Sequence, residues 1–109
     1  MKIPKLLLTT LALVATTAAL LAADADANWD KSCKSCHGAD GKGDTTMGKK
    51  LEIKDFTDAK VQAAFTDAQL TKSIKEGVKD ADKTKMKAYT DLTDDEIKAL
   101  VAKVRGFKK

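Results

Sequence analysis

Histidine, cysteine and proline are almost absent from this 109-residue chain, which holds one, two and one of them respectively. Each scarcity excludes something. One histidine and two cysteines cannot supply the roughly four nitrogen and sulfur ligands of a structural zinc site. A single histidine also rules out paired-histidine ligation of a metal within one molecule. The lone proline, Pro4, stands near the start, and no long Gly- or Ser-rich linker or internal repeat divides the rest of the chain. Aromatic residues are 5% of the chain, and its basic charge is scattered, a poor match to nucleic-acid binding. β-Branched residues never alternate over a useful length, so no strand is predicted.

The scarce residues converge on one stretch, Cys33-Lys34-Ser35-Cys36-His37. It reads C-x-x-C-H, the attachment signature of a c-type haem. Cysteines three residues apart on a short helix share a face, so both sulfurs reach the two vinyl groups of one porphyrin. The adjacent His37 then turns its imidazole to the iron as the proximal ligand. Two other readings stay open at this point. A Cys33–Cys36 disulfide closes so short a loop that it restricts the unfolded chain little. A thiol redox pair of the thioredoxin kind calls for a βαβ context that this sequence lacks.

Residues 1–27 read as a secretory signal peptide. Lys2 and Lys5 form a basic start, Leu6 to Leu21 is uncharged, and Ala25-Asp26-Ala27 or Ala23-Asp24-Ala25 ends it with small residues. Cleavage is expected just before Asn28. The competing reading, an uncleaved anchor, rests on an apolar run at the short edge of what spans a bilayer. Export suits covalent haem attachment, which occurs outside the bacterial cytoplasm. The expected location is the periplasm, without stable membrane insertion.

The remainder, residues 28–109, is one domain with net charge +4 and a thin apolar inventory. Domains this small usually need a staple, and a buried porphyrin would supply the missing apolar mass. The chain without haem is therefore expected to be largely unfolded by far-UV circular dichroism.

Four helices are predicted. The first runs from Trp29 to Cys36, capped by Asn28 or Asp30 and ended by Gly38. A glycine-rich loop continues to about Lys50. A short helix over Asp58–Ala64 has Thr57 as its cap. Thr66-Asp67-Ala68-Gln69 forms a capping box that opens a third helix, ended by Gly77. Val78 to Asp91 reads as irregular. Thr93-Asp94-Asp95-Glu96 is a second capping box, opening the last helix. Ile97, Leu100, Val101 and Val104 make its apolar stripe, Lys98, Lys103 and Arg105 face outward, and Gly106 closes it. The predicted fold class is all-α.

His37 leaves one axial position to fill. Met1 departs with the signal, so Met47 and Met86 remain. Met47 follows His37 by ten residues on the proximal side. Met86 lies far enough along the chain to cross to the opposite face. An isolated methionine is more often a core filler than a ligand. Lys83, Lys85 and Lys87 beside Met86 make a poor setting for a core residue, which favours Met86 as the distal ligand.

These features together resemble the small single-haem class I cytochromes c of the bacterial periplasm. The likeness is carried by Cys33 to Gly43, by Met86-Lys87-Ala88-Tyr89, and by Leu92 to Ile97 leading into the last helix. It spans essentially all of residues 28–109. It implies N- and C-terminal helices that cross, Trp29 packing near Leu100 and Val104, and loops wrapped around one covalent haem c at Cys33 and Cys36. It also implies His37 and Met86 as iron ligands. The family usually has a proline directly after the ligand methionine, where this chain has Lys87. Many members also carry a loop proline whose carbonyl orients the histidine, and this chain has none.

The function implied is one-electron transfer between respiratory complexes or redox enzymes, by a monomer and without catalysis. No nucleophile or base constellation supplies a catalytic residue. Lys34, Lys49, Lys50, Lys75, Lys79, Lys85 and Lys87 would steer it to redox partners with acidic faces, or else form an ordinary charged surface. The alternative is a ligand-binding, sensing or weakly peroxidatic haem protein with an open sixth site.

Overall fold

The computed structural model of the protein describes residues 24–109, so most of the expected signal segment lies outside the described residues. Residues 24–28 are already α-helical and run into a π-helical turn, Trp29–Cys33, followed by α1, Lys34–His37. The predicted first helix is thus present but starts earlier. Asn28 does not cap it, because Asn28 has helical dihedrals and its side chain instead donates to Glu96 Oε2 at 3.1 Å. Gly38 does end it, at φ +81°. The wide π turn ends on Cys33, the first residue of the Cys33–His37 stretch, and such bulges recur at functional sites.

The loop after α1 contains a helix that its sequence did not announce, α2, Thr46–Lys50. Thr45 caps it through Gly48 N–H at 2.8 Å and donates its hydroxyl to Cys36 O at 3.0 Å. One side chain therefore starts α2 and ties it to α1. Helix α3, Ala59–Ala64, is capped by Asp58 rather than Thr57. The Thr57 hydroxyl is occupied with Asp55 Oδ1 at 2.6 Å. Helix α4, Asp67–Glu76, has the predicted Thr66/Gln69 capping box and stops at Gly77.

The absence of strands does not hold. β1, Val78–Asp80, and β2, Lys83–Met86, pair antiparallel in a hairpin that turns through Ala81 at φ +55°. Its strands are mostly solvated on both faces, so burial imposes no alternation that a sequence pattern would reveal. The protein is otherwise helical.

Helix α5, Asp94–Gly106, opens on the predicted Thr93/Glu96 capping box. Gly106 lies within it and Phe107 is its C-cap, one residue beyond the expected stop. Ile97, Leu100, Val101 and Val104 are all buried, joined by Trp29, Ile74 and Ala25 in one core. Helices α4 and α5 pack against each other.

Two residues expected to face outward, Lys103 and Arg105, are only partly exposed because they also bind neighbouring segments. Lys103 pairs with Asp26 at 2.7 Å and lies over the Phe107 ring, 5.5 Å from its centroid. Arg105 donates to Gln62 O at 2.6 Å, Gln62 Oε1 at 2.9 Å, Phe65 O at 2.5 Å and Asp67 Oδ1 at 2.8 Å. Buried Gln62 donates in turn to the carbonyls of Phe56 and Val104, both at 2.7 Å. This network fastens α3 and the chain leading into α4 to the end of α5.

Candidate haem site

Helices, the loop over residues 51–56 and the hairpin line a cavity of about 280 Å³ whose wall includes Cys33, His37 and Met86. Cys33 and His37 reach it from the N-terminal helical segment, and Met86 from the end of β2. Most of the remaining wall is apolar, with Ile53, Phe56, Leu70, Ile74 and Leu100 among its members. Cys36 is half-buried on α1 and is not among the lining residues. Met47, on α2, is 47% exposed and also lies off the wall. Met86, the methionine the sequence favours, shares a cavity with His37, and Met47 does not.

Met86 is held from both directions. The β-hairpin pairs it with Val78. Three residues later, Tyr89 donates its N–H to Ile74 O at 2.9 Å and its hydroxyl to Ser32 O at 2.8 Å. The segment carrying Met86 is thereby tied to α4 and to the turn preceding Cys33.

Burial holds the His37 imidazole below its ordinary value of 6.5, so the ring is neutral at pH 7, the form that ligates metals. Its Nδ1 is buried with no hydrogen-bond partner among the described residues. The Phe56 ring stacks on it, with centroids 5.1 Å apart and planes at 21°. Trp29 approaches at 5.6 Å and 37°, and is itself fixed by an Nε1 donation to Gly38 O at 2.9 Å. In the sequence Phe56 counts only as core material. Stacking against a histidine nineteen residues away leaves no local signal.

No disulfide joins Cys33 and Cys36, and burial, reinforced by Cys36, pushes the Cys33 thiol up to about 11. No cluster of three or more His, Cys, Asp or Glu side chains suited to a metal ion occurs among the described residues. The donor set fits a haem: one neutral imidazole, one thioether sulfur and an adjacent pair of thiols beside an apolar cavity. No helix among the described residues is long and apolar enough to cross a membrane.

The family described as cytochrome c oxidase, cbb3-type, subunit III matches residues 21–102. The solved structure of the KustC0563 c-type cytochrome is 39% identical, with TM-score 0.68, covering 77% of this chain and 96% of that one. A point mutant of Kustc0563 is similar at 38% identity and TM-score 0.67, covering 78% of this chain and 99% of the other. No curated protein sequence matches. With this extent of match the chain belongs to the family of cbb3-type subunit III cytochrome domains and is a small c-type cytochrome.

Proposed function

We propose that the protein is a periplasmic electron carrier holding one haem c through thioethers at Cys33 and Cys36, with His37 and Met86 as axial ligands. The observation that carries this reading is the shared wall, where Cys33, His37 and Met86 line one largely apolar cavity. The haem supplies an iron that gains and loses one electron. The chain supplies the rest. His37 offers a neutral nitrogen and Met86 a neutral thioether, a pair that raises the reduction potential above that of stronger donor sets. Met86 in the sixth position leaves no opening for a substrate, which suits a carrier and not a catalyst.

Surface charge supports acidic partners, with a refinement to the lysine set. Lys49, Lys75 and Lys85 lie within ion-pair distance of Asp44, Asp94 and Asp80. Lys34, Lys50, Lys79 and Lys87 have no ion pair among the described residues, and carry the steering reading. Electron-transfer rates with an acidic partner should fall as ionic strength rises. A rate indifferent to salt would rule the steering out.

The ligand reading is tested on purified native protein. Intact mass should exceed the polypeptide by one haem. The ferric spectrum should be low-spin, with the weak far-red band of methionine-to-iron charge transfer, and should ignore carbon monoxide after reduction. Absence of that band together with ready carbon monoxide binding would favour a sensing or peroxidatic protein instead.

A further inference from the structure

We infer that Phe56 orients the His37 ring by stacking, in place of the hydrogen bond that a metal-bound imidazole ordinarily makes through its second nitrogen. The inference rests on His37 ligating the iron, as proposed above. Histidine ligands almost always donate the remaining N–H to a carboxylate, a carbonyl or water, which fixes the tautomer and the ring plane. His37 Nδ1 is buried, and no protein group among the described residues lies within hydrogen-bond distance of it.

Five carbonyls of the surrounding chain accept from donors other than His37. Gly38 O accepts from Trp29 Nε1 at 2.9 Å, Cys36 O from Thr45 Oγ1 at 3.0 Å, and His37 O from Gly43 N at 2.8 Å. Gly41 O accepts from Phe56 N at 2.9 Å, and Phe56 O from Gln62 Nε2 at 2.7 Å. The contacts recorded on the ring are aromatic. Phe56 is nearly parallel to the imidazole, at 21°, whereas Trp29 is tilted by 37°. Phe56 is also rigidly placed, since both its backbone groups are bonded to other parts of the chain. Stacking fixes a plane without drawing the Nδ1 proton away. The imidazole therefore gains no anionic character and is a weaker donor than one bonded to an acceptor. Phe56 is thus a positioning residue that acts through His37.

The test uses the ferric haem-loaded protein, in which proton NMR shifts of the haem methyl groups report the orientation of the axial imidazole plane. Phe56→Leu removes the flat face and should change the spread and order of the methyl shifts while leaving the methionine charge-transfer band in place. Phe56→Tyr keeps the ring and should restore the wild-type pattern. In the unmodified protein, the His37 Nδ1 proton should resonate upfield of a carbonyl-bonded one, a measurement that decides the matter even if Phe56→Leu does not fold. A wild-type methyl pattern in Phe56→Leu, or a carbonyl-bonded Nδ1 proton, overturns the inference. A wild-type spectrum without low-spin His/Met features fails the ligand reading first, before any variant is made.

Discussion

The carbonyl oxygen of Met86 occupies the space beside Gly77 where a side chain would begin. A Cβ at Gly77 would come within 2.5 Å of that oxygen and 2.9 Å of Ala88 N, and Gly77 has φ +78° with extended ψ. This backbone region is essentially restricted to glycine. The residue that ends α4 therefore also sets how closely the Met86 segment folds back over it.

Gly77→Ala should displace that segment as well as strain the turn. The expected result is a stability loss of about 1–3 kcal/mol in chemical denaturation, accompanied by weakening of the methionine charge-transfer band. A stability loss with an unchanged band would separate Gly77 from Met86.

Arg105 should prove structural and spectroscopically silent. Arg105→Ala leaves Phe65 O and both oxygens of Gln62 without their donor, and bonds from a charged group contribute more than neutral ones. A loss of about 2–3 kcal/mol is expected in chemical denaturation, discounted from the full set because the side chain is partly solvated. The visible spectrum of the haem should stay as in the wild type.

Acid should weaken the contact between the N-terminal segment and α5. The backbone N–H of Thr93, and then the Asn28 amide, hold Glu96 below its ordinary 4.5. A carboxyl with a folded-state pKa below its unfolded value stabilises the protein fully above that unfolded value. The contribution is lost as pH falls through the folded one. Stability should thus decline below about pH 4.5. Glu96→Gln keeps an N3 side chain able to cap but removes the titration, so its pH profile should be flatter there. Equal slopes in the two proteins would assign the acid sensitivity to other groups.

The residues just before Asn28 should contribute to the fold. Ala25 is 4% exposed in the core, and Asp26 pairs with Lys103. A haem-loaded chain starting at Asp24 should exceed one starting at Asn28 by about 1–2 kcal/mol, most of it from apolar burial. Intact mass of the native protein would show which start the cell uses, and a start at Asn28 would show that these contacts are dispensable.

Much of the candidate site was legible in order along the chain. C-x-x-C-H is a local motif whose chemistry depends on spacing alone. The capping boxes at Thr66 and Thr93 are likewise local, since a side chain and an N–H three residues apart satisfy each other whatever surrounds them. The stripe Ile97, Leu100, Val101 and Val104 was readable because helical period by itself gathers those side chains on one face. The hairpin was not, because two short solvated strands carry no hydrophobic pattern. Arg105 reads as an outward charge in the sequence because its partners, Gln62 and Phe65, are about forty residues away.

What the sequence by itself determined is the C-x-x-C-H spacing, the helical character and the number of candidate ligands, since each depends on residue type and short-range spacing. Only the tertiary structure decided that Met86 and not Met47 shares a cavity with His37, and that Phe56 lies flat against the imidazole. Those are relations between distant parts of the chain, and packing settles them: the backbone must turn at Gly77, pair at Val78 and be pinned at Tyr89 before Met86 can reach the cavity wall.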